Sequence, residues 1–217
     1  MAAARPRASD VAYQEILDRI LDMRLPPGAQ VNEISLAEEL GLSRMPVHEA
    51  VARLAVDRFV TVQPRRGSYV SALQVEDVLD MFEAREAIEC GVAHIAARRA
   101  SDADLAQLRA LVQDAEQARE GFDHDRFLRD DLAIHQFLVH MVRNTLLQDA
   151  ADRLLLHNVR FWRSYWASRP ALEGSMISHE ALLLALESRD AEGAERAMRQ
   201  HIFTSLELVQ APFRGPR

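Results

Sequence analysis

The side chains best spaced to bind a single ion lie in the second half of the chain. Asp131 and His135 are four residues apart in a strongly helical stretch, so both project from one helix face. His179 and His201 lie near the beginning and the end of the last two predicted helices, which an antiparallel hairpin would bring to one level. Three imidazoles and one carboxylate suit zinc, nickel or another mid-series divalent ion. Because the chain has eight histidines, a chance constellation is the alternative.

A second group of candidate residues lies near the N-terminus and suits DNA. Ser43 and Arg44 stand at the start of a predicted helix, where a hydroxyl and a helix N-terminus suit phosphate oxygens and an arginine can span guanine O6 and N7. Arg65 and Arg66 form a basic turn that would reach the DNA backbone or the minor groove. The alternative is a set of solvated charges around an ordinary helical hairpin.

The elements that must position these residues differ between the two ends of the chain. In the N-terminal part, apolar spacing and capping residues predict three helices. They are a helix over 11–22, a short helix over 35–40 capped by Ser35, and a helix capped by Ser43 that begins near Pro46. Two β-prone runs then predict strands at 59–62 and 68–70. From residue 74 onward only helical periodicity remains, and breaks near residues 100, 121, 144, 169 and 188 divide it into about six helices. Asn144 is expected to cap the helix that follows it.

This pattern predicts a mainly α fold, with an N-terminal winged helix-turn-helix, a two-stranded wing and then an all-α antiparallel helical bundle. The expected divisions are a disordered arm at 1–9, a DNA-binding domain at 10–71, a helical sensing and dimerisation domain at 72–210, and a tail at 211–217.

The net charge of −7 is distributed unevenly along the chain. Residues 1–71 hold nine arginines and nine acids, whereas residues 72–217 hold 17 arginines and 24 acids. The acidic excess therefore belongs to the second part and does not argue against DNA binding by the first. The single cysteine, Cys90, cannot pair within the chain, which suits a buried position and a reducing compartment. No membrane-spanning or signal segment is evident, so a soluble cytoplasmic protein without a membrane partner is expected.

Three motifs in the N-terminal part resemble the winged helix-turn-helix of the GntR family. They are Leu-Pro-Pro-Gly at 25–28, Leu-Ala-Glu-Glu-Leu-Gly-Leu-Ser-Arg-Met-Pro-Val-His-Glu-Ala at 36–50, and Arg-Gly-Ser-Tyr-Val at 66–70. The resemblance covers residues 10–71. It implies that a homodimer binds a palindromic double-stranded DNA operator.

The same resemblance implies which side chains contact DNA. Arg44 is the strongest candidate for a base contact, with supporting contacts from Ser43, Arg65, Arg66 and Gly67. His48 departs from the family, which usually has arginine at this position. Histidine is shorter and mostly neutral near pH 7, so a contact made by His48 is expected to be weakened or changed.

The second part resembles the ligand-binding domain called FCD, found in FadR-like GntR regulators, over nearly all of residues 74–210. Its matching landmarks are Arg85, Glu89, Asp131, His135, His179 and His201. The resemblance implies that the last four bind a divalent ion, with zinc expected and nickel or manganese as alternatives. It also implies a small organic acid as effector beside the ion.

An arginine fork is expected to bind the carboxylate of that acid. Arg85 is the first candidate, and Arg160 and Arg163, on the helix with two tryptophans, are weaker ones.

From both resemblances, the predicted function is a transcriptional regulator, expected to be a repressor, and not an enzyme. A metalloenzyme fused to a DNA-binding module and a regulator with a purely structural metal are the alternatives.

Overall fold

The computed structural model describes residues 6–168 and 176–210. The described residues divide into two compact units, one formed by residues 6–75 with 160–167 and the other by residues 76–159 with 168 and 176–210. The predicted mainly α fold with a wing and a helical bundle is confirmed. Of the arm expected at 1–9, residues 1–5 lie outside the described residues, whereas Ala8 and Ser9 belong to the first helix and are not disordered. The helix break expected near residue 169 and the tail at 211–217 also fall outside the described residues.

Residues 6–75 of the first unit form three helices and a small sheet. Their bounds are α1 (Ala8–Leu21), β1 (Gln30–Val31), α2 (Glu33–Leu40), α3 (Arg44–Val56), β2 (Val60–Gln63) and β3 (Gly67–Val70). Both α1 and α2 pack against α3, and α3 also contacts β2. The apolar faces of α1 and α3 form the core, where Ile16, Ile20, Val47 and Leu54 are fully buried.

The wing contains a strand that the sequence did not predict. The described sheet has the order β1-β3-β2 with both pairs antiparallel, so β3 is central. Gln30 lies opposite Tyr69 and Val31 opposite Ser68. Two residues are too few to show the alternating polarity by which a strand is recognised, and it is β3 that brings β1 into the sheet.

The expected start of the second helix was wrong. Asn32, not Ser35, is the N-cap of α2, and its side-chain oxygen accepts hydrogen bonds from the backbone N–H groups of Ile34 (3.0 Å) and Ser35 (3.2 Å). Asparagine is as good a cap as serine, and β1 ends immediately before it, so the helix begins earlier than the capping-box pattern indicated. Ser43 is the N-cap residue of α3 by backbone conformation, without a side-chain cap hydrogen bond.

Six helices follow in the described part of the chain, as predicted. They are α4 (Val75–Arg99), α5 (Asp102–Glu120), α6 (His124–Met141), α7 (Thr145–Ser168), α8 (Glu180–Glu187) and α9 (Ala191–Gln210). Asn144 caps α7, as expected, by accepting from the N–H groups of Leu146 and Leu147. In the second unit α5 packs against α6 and α8, and α8 packs against α9.

The buried faces of these helices are apolar except at a few positions. Cys90 is buried on α4, as its predicted role as a small hydrophobe requires. The buried polar side chains of the second unit are Arg85, Glu89, Asp131, His135, Asn158, His179, His201 and Ser205. Buried charged groups need charged or hydrogen-bonding partners, so the partners of these side chains indicate whether the bundle contains a binding site.

Candidate metal centre and nucleic-acid interface

Asp131 and His135 lie on the buried stripe of α6, because they share the helical spacing of its apolar residues. Leu128, Ile134 and Leu138 mark this stripe and are almost completely buried. The two polar side chains, one helical turn apart, therefore point into the bundle and not into solvent. His135 is 1% exposed and Asp131 is 7% exposed.

The other two candidate ligands come from α8 and α9. His179 is the residue immediately before α8, and its backbone oxygen accepts from Leu183 as that helix begins. His201 lies on the buried stripe of α9 between Met198 and Ile202. One potential ligand atom from each of the four residues lies within 4.8 Å of all the others. The bundle thus brings together four side chains that are distant in sequence.

The distances among Asp131, His135 and His179 fit one shared cation. Nε2 of His179 lies 3.2 Å from Nε2 of His135 and 3.3 Å from Oδ1 of Asp131, and the two atoms His135 Nε2 and Asp131 Oδ1 are 3.7 Å apart. Ligand atoms about 2.0–2.2 Å from one ion in a tetrahedral shell stand about 3.3–3.6 Å from each other. The Nδ1 atoms of His179 and His201 are buried without a hydrogen-bond partner among the described residues. In His179 the atom that faces the other candidate ligands is Nε2 and not Nδ1.

A chain of buried polar groups supports His135 from the side opposite Asp131. Nδ1 of His135 lies 2.5 Å from Oε2 of Glu89, whose other oxygen accepts from Nε of Arg85 at 2.6 Å. Nη1 of Arg85 donates to Oδ1 of Asn158 at 2.9 Å. A carboxylate that holds the second ring nitrogen of a metal-binding histidine fixes the ring orientation and its tautomer. Glu89 occupies that position here.

The electrostatics of the cluster prepare its atoms for a cation. Burial works against ionisation of Asp131, but His135 and His179 outweigh it and hold the pKa of Asp131 well below its usual range. In the same way Arg85 and His135 lower the pKa of Glu89 to about 2 despite its burial. Burial, with smaller effects from the neighbouring imidazoles, lowers the pKa values of His179 and His201, so both rings are neutral and offer lone pairs.

His135 is the exception among the three histidines. Burial lowers its pKa, but the carboxylates of Glu89 and Asp131 outweigh burial and raise it to about 9. In the metal-free protein this ring is therefore protonated near pH 7. A cation at the cluster would replace that proton.

The residues predicted to contact DNA on α3 are exposed and lie on one face. Ser43 precedes the helix, Arg44 is its first residue, and His48 follows one turn later. Nδ1 of His48 lies 3.1 and 3.2 Å from the two carboxylate oxygens of Glu33, and Nε of Arg44 is 3.8 Å from one of them. Glu33 was not among the predicted site residues, and its position before the Leu-Ala-Glu-Glu-Leu motif carried no signal of this contact.

The three predicted wing residues lie at the tip of the β2–β3 hairpin and are exposed. Arg65 and Gly67 have positive φ angles of 64° and 112°, which turn the chain within three residues. The backbone oxygen of Arg66 accepts from the Tyr69 hydroxyl at 3.0 Å, which supports the turn. Arg65 and Arg66 thus lie in a turn that the Tyr69 hydrogen bond stabilises.

The predicted effector ligands Arg85, Arg160 and Arg163 are divided between the two units. Arg85 belongs to the second unit and is linked to the cluster through Glu89. Arg160 and Arg163 lie in the segment 160–167 that groups with the first unit, where Arg160 donates to the Ser71 carbonyl and Arg163 pairs with Asp22. Their effector role stays a prediction.

Asn158 is a site residue that sequence reasoning missed. It is 2% exposed and lies three residues after the buried Leu155 on the apolar stripe of α7. A polar residue at a core position of a helix is a detectable signal, since its amide must find partners. The identity of the partner, Arg85, 73 residues away, was not readable from that stripe.

The remaining histidines that the described contacts account for lie outside the cluster. His94 pairs with Glu195 at 3.3 Å, and Nδ1 of His140 lies 2.7 Å from the Gln136 backbone oxygen. None of the described helices is both long enough and apolar enough to cross a membrane.

The fold and the DNA-binding residues define a class, the winged-helix regulators with a second, helical domain, and comparisons with known proteins agree. Residues 8–70 match the family model "Bacterial regulatory proteins, gntR family", and residues 80–204 match the model "FCD domain". The chain therefore belongs to the GntR family and carries an FCD domain.

Similar proteins are named as transcriptional regulators. The HTH-type transcriptional repressor RspR of Escherichia coli K12 is 30% identical over 200 residues, which cover 91% of this chain and 87% of that one. The uncharacterized HTH-type transcriptional regulator YdfH of Escherichia coli O6:H1 is 30% identical over 207 residues, covering 94% and 90%. The solved structure of Escherichia coli McbR/YncC shares the fold with a TM-score of 0.83 at 21% identity, covering 97% of this chain and 100% of that one.

These similarities determine the class of function. The protein is a DNA-binding transcriptional regulator, and the expectation that it is not an enzyme is confirmed by its family. The alternative of a metalloenzyme fused to a DNA-binding module is thereby removed.

Proposed function

We propose that this regulator is a repressor whose operator affinity is controlled by a small carboxylate bound beside a divalent ion in the helical domain. The observation that carries the proposal is the buried convergence of Asp131, His135, His179 and His201 within 4.8 Å. Two relatives, RspR and GlaR of Escherichia coli K12, are named repressors, which supports the direction of control. Zinc suits this donor set best, and nickel or manganese are the alternatives.

The charge of the cluster supports an anionic effector. When bound, a divalent ion supplies a Lewis-acid centre that attracts the oxygen atoms of an effector. The buried charges of Arg85, Glu89 and Asp131 leave one net negative charge, since all three groups are ionised. With a divalent ion and three neutral imidazoles the buried site therefore has one net positive charge. A single carboxylate would balance it, as burial of charge requires.

Arg85 is our first candidate for the second anchor of that carboxylate. A guanidinium has five N–H donors, and in the described structure three of them donate to Glu89 and Asn158. Two donors are left for a ligand. The charge of Arg85 also contributes to the low pKa of His201 and to the ionisation of Asp131, so it acts at the same site. The effector roles of Arg160 and Arg163 are less well supported, because their described contacts are with residues of the DNA-binding unit.

Control of transcription would follow from a shift between two populations of a homodimer. Two recognition helices must meet half-sites about one DNA turn apart, so a change in how the helical domains pair changes operator affinity. Effector and operator affinities are then coupled reciprocally, and each ligand changes the binding of the other by the same factor.

The metal is tested by elemental analysis of protein purified without chelators or nickel resin. His135→Ala is compared with His140→Ala, a control on the same helix whose exposed ring lies within hydrogen-bonding distance of the Gln136 backbone oxygen. We expect about one ion per chain for the parent and the control, and a large loss for His135→Ala. A parent protein that holds no metal and takes up none from added ions would overturn the site.

The effector is sought by thermal-shift screening of organic acids and sugar acids against metal-loaded and metal-free protein. Acids that stabilise the loaded protein alone are then tested for their effect on binding to the DNA upstream of the protein's own or neighbouring gene. A metal that raises thermal stability but changes neither acid binding nor operator affinity would be structural, and the proposed control would be wrong.

A further inference from the structure

The feature from which we argue is the contact between α2 and α3 around the Glu33 carboxylate. Its two oxygens lie 3.1 and 3.2 Å from Nδ1 of His48, and one is 3.8 Å from Nε of Arg44. The Glu33 side chain is only 15% exposed, whereas those of His48 and Arg44 are 61% and 69% exposed. A mostly buried carboxylate thus contacts Nδ1 of His48 and lies near Nε of Arg44, and both of these side chains are exposed.

The backbone holds Glu33 in place on both sides. Asn32 caps α2 with two hydrogen bonds, and Glu33 is the first residue of that helix. The preceding strand, Gln30–Val31, is paired with β3 of the wing. The carboxylate is therefore carried by a short, doubly anchored segment, and its position relative to α3 is determined by the fold of the DNA-binding unit.

The chemistry of the carboxylate determines which nitrogen of His48 carries a proton. An ionised carboxylate only accepts hydrogen bonds, so Nδ1 of His48 must donate. A neutral ring makes this contact when its single proton is on Nδ1. A neutral imidazole that is protonated at Nδ1 has a lone pair at Nε2. Its exposed end is therefore a hydrogen-bond acceptor, whereas arginine at this position would only donate.

We propose that His48 reads a base with an exocyclic amino group in the major groove, cytosine N4 or adenine N6, by accepting a hydrogen bond at Nε2. In the major groove these amino groups are the base donors, whereas guanine offers only acceptors. Glu33 is a positioning residue that fixes the tautomer and the ring orientation. Arg44, one turn earlier, keeps its donors for guanine or phosphate. The inference rests on α3 being the helix that enters the groove.

The experiment starts from operators selected by the full-length protein from a randomised duplex pool. The affinity of every single-base variant of the selected half-site is then measured for the parent, His48→Ala and His48→Arg. We expect one position where the parent prefers cytosine or adenine by about 5- to 100-fold, the range of one good base contact. His48→Ala should lose the preference at that position alone, and His48→Arg should change it to guanine.

The role of Glu33 is tested with Glu33→Gln and a matched control, Glu39→Gln. Glu39 lies on the same helix and pairs with Arg19 at 2.5 Å. Glutamine at position 33 can donate as well as accept, so it no longer selects one tautomer. We expect Glu33→Gln to reduce the discrimination at the His48 position while the preferences at other positions stay as in the parent. The control should keep all of them.

Two results would overturn the inference. One is a parent that shows no cytosine or adenine preference sensitive to His48→Ala. The other is a His48→Ala variant that weakens all sequences equally and lowers the salt slope by about one, which indicates a phosphate contact. Arg44→Ala tests separately whether α3 is the recognition helix. If this variant keeps the parent's affinity and every base preference, α3 does not enter the groove, and the proposed base contact of His48 is wrong as well.

Discussion

Glu89→Gln is the substitution that tests most directly how the bundle supports the proposed metal site at Asp131, His135, His179 and His201. Glu89 is 2% exposed and lies between His135 Nδ1, at 2.5 Å, and Arg85 Nε, at 2.6 Å. Glutamine has nearly the same shape but no charge. The substitution therefore leaves the four candidate ligands in place and changes only the group that orients His135 and compensates Arg85.

The expected loss follows from these two contacts. Carboxylates that hold a ligating histidine are worth about 10- to 100-fold in metal affinity, because they orient the ring and increase its basicity. Glu89 also contributes the negative charge nearest to His135, and without it the metal-loaded site has a second uncompensated positive charge. We therefore expect Glu89→Gln to weaken zinc binding by about 10- to 100-fold. The variant also loses part of the Arg85 ion pair, so its metal-free form should melt at a lower temperature than the parent.

Zinc affinity is measured by competition with a chromophoric chelator, well below the melting temperature of each protein. Glu187→Gln is the matched control, since Glu187 pairs with Arg109 at 2.7 Å in the same unit, on α8. The control should bind zinc as the parent does. If folded Glu89→Gln binds zinc within about threefold of the parent, Glu89 does not tune His135 and the reasoning is refuted.

Three further predictions concern single residues. Burial, with Glu86 and Glu195, raises the pKa of the Cys90 thiol to about 11 despite Arg199. Iodoacetamide should therefore label the native protein slowly at pH 8, faster as the pH rises, and rapidly in urea. Fast labelling of the native protein at pH 8 would contradict this prediction. Asn32→Ala removes the α2 cap and should cost about 1 kcal/mol in urea unfolding; an unchanged midpoint would argue against the cap. Gly67→Ala, at φ 112°, should cost about 1–3 kcal/mol and weaken operator binding, and a neutral result would show that the wing tip relaxes freely.

Local patterns were sufficient to predict most of the helices. Helix periodicity and caps depend on residues within a few positions of each other, so the breaks near residues 100, 121, 144 and 188 and the Asn144 cap could be read directly. The start of α2 could not, because Asn32 and Ser35 are both acceptable caps and the choice depends on the strand that precedes the helix.

The four-residue cluster shows both what the sequence could predict and what it could not. The spacing of Asp131 and His135 puts them on one helix face, and the FCD resemblance named His179 and His201 as their partners. Neither could show that Glu89 holds His135 or that Asn158 holds Arg85, since side-chain contacts between helices depend on how the helices pack.

The sequence by itself determined the class of protein, the order of its helices and the types of residue at its two sites, because these follow from periodicity and motif. Only the tertiary structure decided which groups face one another. Nε2 of His179 and Nε2 of His135 are 44 positions apart in the chain and 3.2 Å apart in space, and Glu33 reaches His48 across the turn between α2 and α3. Such contacts form because the packing of apolar helix faces also determines where the polar residues on those faces meet. The local sequence around a polar residue does not identify the residue that it will contact.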